Sequence, residues 1–265
     1  MSTAIDFPLS GVAATIIVTI SHQFGEYWAF AAAPLIVVIW GWWKVNKEKK
    51  DEAEKHLEEQ EALYLRTVES LALAVDAKDQ TTYGHIRRVR VYATRLAHLC
   101  GIKDPDELKA ITTGALLHDI GKLAIDDYIL NKPGKLSKQE FDKIKMHATA
   151  GDEILKQIHF PFPVAKYVRY HHERYDGDGY PDGLEGERIP LGARILAVAD
   201  AFDAMTSERP YRGAMNVENA VAEMERGLGS QFDPGVVRVF LETRSQWGSK
   251  VVETGGLVIT DEVEC

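Results

Sequence analysis

The pattern of apolar and polar positions divides this chain of 265 residues into three kinds of segment. Residues 27–43 form an apolar run without a single charge. Residues 44–60 are rich in Lys and Glu, and neither Gly nor Pro interrupts the chain from there to Asp79. Beyond Asp79, apolar residues recur every three or four positions between recognisable helix start and stop signals. We therefore predict an all-α protein in which two N-terminal segments precede a single helical domain.

The charge-free run has the aromatic ends that are typical of a membrane-spanning helix. Aromatic residues lie at both ends and lysines follow at once: Tyr27, Trp28, Trp42, Trp43, Lys44, Lys47, Lys49 and Lys50. As a helix the run would be about 25 Å long, against about 30 Å of membrane hydrocarbon. No Lys or Arg precedes Lys44, so we expect residues 1–43 to anchor the protein in the inner membrane, with membrane lipid as a partner and the rest of the chain in the cytoplasm. The alternative is a helix buried in a soluble protein.

Leu9 to Ile20 is a second apolar run, of twelve residues. A helix of that length is too short to span a membrane by itself. It is either the first arm of a helical hairpin or a segment that lies at the membrane surface.

The charged segment, residues 44–64, is predicted to form a helical stalk. Leu57, Tyr64 and Leu71 recur every seven residues, and Val68 and Val75 lie beside that seam. A seam of this kind favours pairing with a second copy, so a homodimer through the stalk is one interpretation. Because fewer than four heptads are present, a solvated single helix is the other.

Residues 61–245, approximately, are predicted to form the helical domain, because capping signals recur along them. Each signal is a side chain that accepts a hydrogen bond from the first turn of a helix, or a proline that fits its first position. The predicted starts are Asp104 with Pro105, Ser137 with Glu140, Pro163, Pro190, Asn216, and Asp233 with Pro234. The tail, residues 244–265, contains a candidate short strand, GGLVIT, and has no predicted role.

The charge balance excludes one class of partner. The chain carries 40 acidic and 31 basic residues, a formal net charge of −9. Binding to duplex nucleic acid depends on neutralising phosphates with Lys and Arg, so we expect no nucleic-acid polymer as a partner. The two cysteines, Cys100 and Cys265, are too few for a disulfide framework.

Histidines and aspartates concentrate where helices are predicted to present them to the interior. Five of the nine histidines and two aspartates lie in apolar faces or at predicted helix ends: His85, His118, Asp119, His147, His171, His172 and Asp200. A buried carboxylate without a partner costs several kcal/mol, so these aspartates should be matched by cations or by a metal. Seven ligands exceed the three that hold one catalytic zinc, and they suit two divalent metals that share a carboxylate. Imidazole and carboxylate without thiolate fit iron, manganese or zinc.

Five short motifs occur in order along the domain: GHIRRV from Gly84, HDIGK from His118, HHERYDGDGYP from His171, VADAFDAMTSERPYR from Val198, and FDP from Phe232. Together they resemble the HD-GYP family, the cyclic di-GMP phosphodiesterase branch of the HD superfamily. The resemblance covers about residues 65–243. It implies an HD-GYP-like helical domain that hydrolyses cyclic di-GMP to linear pGpG, with further cleavage to GMP left open.

The resemblance also implies a metal arrangement. One metal would be held by His85, His118, Asp119 and Asp200, and Asp119 would bridge to a second held by His147, His171 and His172. A hydroxide bridging the two metals would attack the phosphodiester in line. Some family members place a glutamate four residues before the first histidine to hold a third metal, but here that position is Thr81. We therefore predict two divalent ions, iron or manganese, rather than three.

Four residues outside the ligand set have roles implied by the same resemblance. Lys122 would stabilise charge on the phosphoryl oxygens beside Asp119. Arg209 and Arg212 would grip the second phosphate or a guanine edge, because a planar guanidinium suits such groups, and a solvated basic pair is the alternative. Tyr180 would contact substrate from the loop that follows the histidine pair, and packing alone is the alternative for it.

Two other functions stay open. A generic HD phosphohydrolase acting on mononucleotides or alarmones needs only one His, the HD pair and a distal Asp, so the further ligands His147, His171 and His172 weigh against it. A non-catalytic receptor or scaffold would bind cyclic di-GMP or a GGDEF-domain partner without turnover. The complete ligand set and Lys122 weaken that second interpretation without excluding it.

Overall fold

The computed structural model describes residues 15, 19, 26–79, 84–208 and 213–243. The chain divides into two compact units, Met1–Tyr64 and Leu65–Cys265. The helices are α1 (Glu26–Asp79), α2 (His85–Leu99), α3 (Pro105–Leu117), α4 (Asp127–Leu130), α5 (Lys138–Ile158), α6 (Val164–Tyr170), α7 (Leu191–Thr206), α8 (Val217–Arg226) and α9 (Pro234–Glu242), with 3-10 turns at Ile120–Ala124 and Gly186–Arg188. Apart from one isolated bridge between Leu228 and Phe232, the described residues contain no β-structure. The predicted all-α fold is confirmed.

Most helices begin where the capping signals predict. Asp104 accepts a hydrogen bond from the Asp106 amide at 3.1 Å, at the start of α3. Ser137 and Glu140 form a reciprocal capping box at the start of α5, with donor–acceptor distances of 2.7 and 3.2 Å. The other predicted starts also precede helices: Pro163, Pro190, Asn216 and Asp233.

Two helix ends differ from the prediction. His147, predicted at a helix end, lies in the middle of α5, which continues through Gly151 to Ile158. Gly151 lies inside the helix, where it allows close contact with the neighbouring segments. An added methyl there would lie 3.0 Å from Val168 and 3.4 Å from the Gly121 amide. Asn216 and Gly229 in the sequence predict the bounds of α8. The helix begins after Asn216 as predicted, but it ends at Arg226, before Gly229.

The core of the second unit holds the helices that carry the candidate ligands. Helix α2 packs against α3 and α7, while α6 packs against α3 and α5. Fully buried aliphatic side chains fill these contacts: Val89, Ala93, Ile111, Ala115, Ile195 and Val198. One face of α2 carries His85, Val89, Tyr92, Leu96 and Leu99. This face is buried except at its C-terminal end, where Leu99 is 39% exposed. Close packing therefore fixes the helices that precede or carry His85, His118 and Asp200.

Helix α1 extends through the predicted stalk as a continuous helix. Within the second unit its buried face contains Val68, Ala72 and Val75, whereas Leu71 is exposed. Leu57, in the first unit, is also exposed. The apolar contacts of the C-terminal part of α1 thus use the residues beside the predicted seam, and pairing of two copies through the seam stays a prediction.

The predicted membrane anchor is wrong. Within the described residues, no helix carries a stretch that is both long enough and apolar enough to cross a membrane. The charge-free part of α1, residues 27–43, is shorter than the about 20 apolar residues that a membrane-spanning helix needs, and it includes Pro34 and Gly41. The predicted localisation at the inner membrane is therefore wrong, and membrane lipid is withdrawn as a partner. The second apolar run, Leu9 to Ile20, lies almost entirely outside the described residues.

Candidate metal centre

The seven predicted ligands come together in two groups. The first group contains His85, His118 and Asp200, and the second contains Asp119, His147, His171 and His172. Within each group, one nitrogen or oxygen atom from every residue lies within 4.8 Å of the others. The residues are far apart in sequence, and they meet because α2, α3, α5, α6 and α7 pack around one point.

Asp119 lies between the two groups. Its Oδ2 is 3.3 Å from His118 Nε2 in the first group, and its Oδ1 is 3.6 Å from His147 Nε2 in the second. Asp200 Oδ1 closes the first group, at 3.6 Å from His85 Nε2 and 3.9 Å from His118 Nε2. One carboxylate thus offers an oxygen to each side, which is the arrangement that a shared ligand requires.

Three of the imidazoles are held by the backbone of their own helices. The Nδ1 atoms of His118, His147 and His171 lie 2.8, 2.7 and 2.6 Å from the carbonyl oxygens three residues earlier. Because Nδ1 donates to these carbonyls, Nε2 is left as the atom that can bind a metal. The Nε2 of His118 is buried and has no hydrogen-bond partner among the described residues. An orphaned nitrogen facing two carboxylates fits a cation ligand.

The electrostatics of the cluster keep most of its imidazoles neutral. Burial lowers the pKa of His171 to about 3, with His118 and His147 adding to the effect. Burial also lowers the pKa of His147, and that of His172 falls well below its usual value. Neutral imidazole is the form that binds metal.

His118 and Asp119 form the charged pair of the cluster. Burial opposes charge on both, but Asp119 raises the pKa of His118 to about 9, and Lys122 with His118 holds the pKa of Asp119 well below its usual value. His118 Nε2 lies 3.3 Å from Asp119 and 3.9 Å from Asp200, the carboxylates that raise its pKa. Because a metal binds the neutral imidazole, metal binding here would favour the deprotonated form of His118.

Comparison with known proteins decides the family. A family model described as HD domain matches residues 69–236, a range that includes all seven ligands. The chain belongs to the HD-domain family. The matched range also contains His147, His171 and His172, the three candidate ligands beyond the minimal HD set.

Bacterial relatives match this HD domain over much of its length. The 3'3'-cGAMP-specific phosphodiesterase 3 of Vibrio cholerae is 42% identical over 183 residues, which are 69% of this chain and 39% of the relative. The cyclic di-GMP phosphodiesterase response regulator RpfG of Xanthomonas campestris is 43% identical over 182 residues, 68% of this chain and 48% of the relative. A cyclic di-GMP phosphodiesterase of Thermotoga maritima is 39% identical over 196 residues, 73% and 53% respectively. The chain spans about half of these relatives or less.

A solved structure has the same fold. The crystal structure of a cyclic GMP-AMP specific phosphodiesterase of Vibrio cholerae aligns with a TM-score of 0.55 and 20% identity. The alignment covers 71% of this chain and 51% of that one. At this identity the likeness supports the helical HD-domain fold and nothing finer.

Sequence reasoning missed the residues that orient His85. Its Nδ1 lies 2.7 Å from Oδ2 of Asp203, a carboxylate with no solvent exposure. Arg88 donates to both oxygens of Asp203, from Nε at 2.5 Å and from Nη2 at 3.1 Å, and Nη2 also bonds Ser207 at 2.7 Å. Burial would raise the pKa of Asp203, but His85 and Arg88 outweigh it and lower that pKa. The available signal was a second aspartate three residues after Asp200 in the same apolar helix.

The loop after the histidine pair is also organised by a residue that the sequence analysis passed over. Glu173 is 4% exposed and accepts hydrogen bonds from the amides of Asp182 and Leu184, at 2.8 and 3.1 Å. The Tyr180 amide donates to the His172 carbonyl at 3.2 Å, and the Tyr180 ring lies 4.9 Å from the His172 ring. The loop therefore folds back over the second ligand group, with Tyr180 beside His172.

Lys122 lies inside the cluster. Its Nζ is 2.8 Å from Asp119 Oδ2. Arg209 and Arg212, together with Thr81, lie outside the described residues. The roles predicted for Lys122, Arg209, Arg212 and Tyr180 remain predictions.

A cavity of about 440 Å³ opens beside the two ligand groups. His171, His172 and Asp200 line one side of it, and Met205, Met215 and Phe232 supply apolar surface. Its size is within the range of about 300–1,000 Å³ that small-molecule sites occupy. A second cavity, of about 410 Å³ between the end of α5 and α6, contains none of the seven ligands.

Gly121 allows the turn that follows the HD pair to sit directly on α5. A methyl group at this position would overlap the His147 carbonyl group and the Gly151 amide, which are backbone atoms that cannot move aside. We expect Gly121→Ala to destabilise the HD domain by about 1–3 kcal/mol or more. Its melting temperature should fall by at least about 3 °C, as measured by circular dichroism.

The matched control is Gly213→Ala, because no atom of the described residues lies within 4 Å of the methyl it would add. A Gly121→Ala variant that melts with the wild type would contradict the close approach of the turn to α5.

Proposed function

We propose that this chain is a metal-dependent phosphodiesterase of the HD-GYP branch that hydrolyses cyclic di-GMP to pGpG. The observation that carries the proposal is the position of Asp119, whose two oxygens face two separate groups of imidazole and carboxylate ligands. The three relatives, which are named as cyclic dinucleotide phosphodiesterases, support the same substrate class.

The second ligand group argues against a generic HD phosphohydrolase. His147, His171 and His172 are superfluous in an enzyme that needs one metal, yet they lie together beside Asp119. A receptor without turnover would not require Lys122 to be held 2.8 Å from Asp119. Hydrolysis is therefore the better account of both features.

We propose two divalent ions, iron or manganese, for the two groups. The donors are imidazole nitrogens and carboxylate oxygens without thiolate, which suit these metals. When bound, such a pair supplies a nucleophile from water near neutral pH and neutralises charge on phosphoryl oxygens. The first ion would be held by His85, His118, Asp119 and Asp200, and the second by Asp119, His147, His171 and His172.

The remaining side chains would bind and orient the substrate. In this proposal Lys122 stabilises charge that develops on a phosphoryl oxygen next to Asp119. Tyr180 contacts the substrate from the loop beside His172, and Arg209 with Arg212 binds the second phosphate or a guanine edge. Met205, Met215 and Phe232 offer apolar surface to a base in the adjoining cavity.

A second candidate substrate is 3'3'-cGAMP, because a relative with 42% identity is named as specific for it. The two cyclic dinucleotides share the phosphodiester ring and differ in one base. Residues that contact the bases, rather than the metal ligands, would distinguish them.

The test is incubation of the full chain with cyclic di-GMP or 3'3'-cGAMP in the presence of Mn(II), or of Fe(II) without oxygen, followed by chromatography of the products. We expect cyclic di-GMP to be converted to pGpG, because both ligand groups are complete. Omission of metal is the control. Tight binding of intact cyclic di-GMP without any product would support the receptor instead, and hydrolysis of mononucleotides alone would support the generic enzyme.

The domain boundaries also remain proposals. We place the stalk at residues 44–64, the HD-GYP domain at 65–243 and a tail at 244–265. The division of the chain into two units after Tyr64 supports the boundary between the stalk and the domain. A homodimer through the stalk and a GGDEF-domain partner stay predictions.

A further inference from the structure

Lys78, near the C-terminal end of α1, reaches the turn that carries the HD pair. Its ammonium group donates to the carbonyl oxygens of Lys122, Leu123 and Ile125, at 3.2, 3.1 and 2.7 Å. It also lies 3.3 Å from a carboxylate oxygen of Asp127, and its side chain is only 23% exposed. A single lysine thus contacts three carbonyls at one turn end, across more than forty residues of sequence.

The three carbonyls lie at the C-terminal end of the 3-10 turn Ile120–Ala124 and just beyond it. The Lys122 carbonyl also accepts from the Ile125 amide at 3.1 Å, and Lys78 adds a charged donor at this end of the turn, where the last carbonyls of a helix lack intrahelical partners. A positive charge is stabilising at the C-terminal end of a helix, and lysine is a residue that binds carbonyls there. A separate contact fastens the same end of α1 to the segment after α4, because Asn131 Nδ2 donates to the Lys78 carbonyl at 3.1 Å.

The beginning of the same turn is the metal centre. Asp119 is the residue that precedes the turn, and its carbonyl accepts from the Lys122 amide at 2.9 Å. The turn therefore connects the point that Lys78 holds to both side chains of the Asp119–Lys122 pair. A shift of the turn would move a shared ligand and its neighbouring charge together.

We propose that Lys78 is a positioning residue, which holds the Ile120–Ala124 turn in place and thereby fixes Asp119 and Lys122 at the metal centre. The inference rests on the proposed function for its catalytic consequence, but not for its structural one. It makes the last turn of α1 a part of the active enzyme rather than a passive connection to it.

The experiment compares Lys78→Met and Lys78→Arg with the wild type in the full chain. For Lys78→Met, which removes every donor, we expect deuterium uptake across residues 120–125 to rise, and kcat for cyclic di-GMP to fall about 10- to 100-fold with KM changed less than about threefold. Lys78→Arg keeps the charge and several donors, so it should recover most of both properties. Lys103→Met, at an exposed lysine of the same domain, is the matched control.

Two readouts separate the inference from the proposed function. If wild-type protein hydrolyses no cyclic dinucleotide, the exchange measurement still tests whether Lys78 holds the turn. Unchanged exchange at residues 120–125 together with unchanged kcat in a folded Lys78→Met variant would overturn the inference. If that variant does not fold, Lys78→Gln, which loses the charge and shortens the reach to the three carbonyls, tests the same contact: raised exchange at residues 120–125 supports the inference, and wild-type exchange overturns it.

Discussion

Replacing Asp119 by Asn is expected to lower kcat for cyclic di-GMP by more than about 100-fold, the upper end of what a residue acting only through a metal ligand contributes. The reason is that Asp119 presents one oxygen to each ligand group, whereas an amide has only one oxygen and would leave at least one group without its shared ligand. The substitution also removes the negative partner of Lys122. Steady-state kinetics at saturating Mn(II) measures the effect.

The same variant should lose metal as well as activity. Wild-type protein is expected to hold about two ions per chain, by plasma mass spectrometry of metal-replete protein, and Asp119→Asn one or none. Asp126→Asn is the matched control, because Asp126 is an exposed aspartate that is not in either group. Wild-type content of three ions per chain would contradict the two-metal assignment, and retention of both ions by Asp119→Asn would contradict its shared position.

Replacing Asp203 by Asn is expected to weaken metal binding at the first ligand group by about 10- to 100-fold. The buried carboxylate of Asp203 accepts the hydrogen bond that fixes the ring of His85, and Arg88 holds that carboxylate from the other side. An amide can accept at only one of its two atoms, so the ring of His85 or the guanidinium of Arg88 loses its partner. Titration with Mn(II) against a competing chelator gives the affinity.

A positioning role can be distinguished from a merely structural one in this case. If Asp203 acts through His85, excess Mn(II) should restore much of the lost kcat, whereas a misfolded site would not recover. Arg88→Lys should weaken binding in the same direction, because one ammonium cannot replace the two-pronged contact. Arg90→Lys, on the same helix, serves as the control. An Asp203→Asn variant with wild-type Mn(II) affinity would rule out the orienting role.

The sequence predicts the helical class and the residues of the candidate metal centre, because both leave signals in short stretches of the chain. Asp104, Ser137 and Asn216 indicate helix starts, because their side chains accept hydrogen bonds from backbone amides two or three residues later. Histidine and aspartate in apolar surroundings announce a buried polar site, since such groups require partners. Both kinds of signal can be interpreted without knowing how the helices pack.

The residues that sequence reasoning missed act through contacts between distant segments. Asp203 meets His85 across 118 positions, and Lys78 meets the HD turn across 44 to 47. Lys78 is an ordinary residue in a charged helix, and Asp203, although it is a second aspartate in an apolar helix, does not reveal its partner in the sequence; only the packing of the distant segments does. The membrane prediction failed for a related reason: aromatic ends and trailing lysines fit an anchor, but they do not supply the length of aliphatic chain that a bilayer requires.

Glu173 gives the loop over the metal centre a property that matters for engineering. It directly follows His171 and His172, and it ties down the amides of Asp182 and Leu184 at the far end of the loop. His171, His172 and Glu173 are thus consecutive residues at the base of the loop, and Asp176 to Tyr180 form its tip. Any exchange of that tip must keep Gly179, because a methyl group there would overlap the backbone of Glu173 and Arg174.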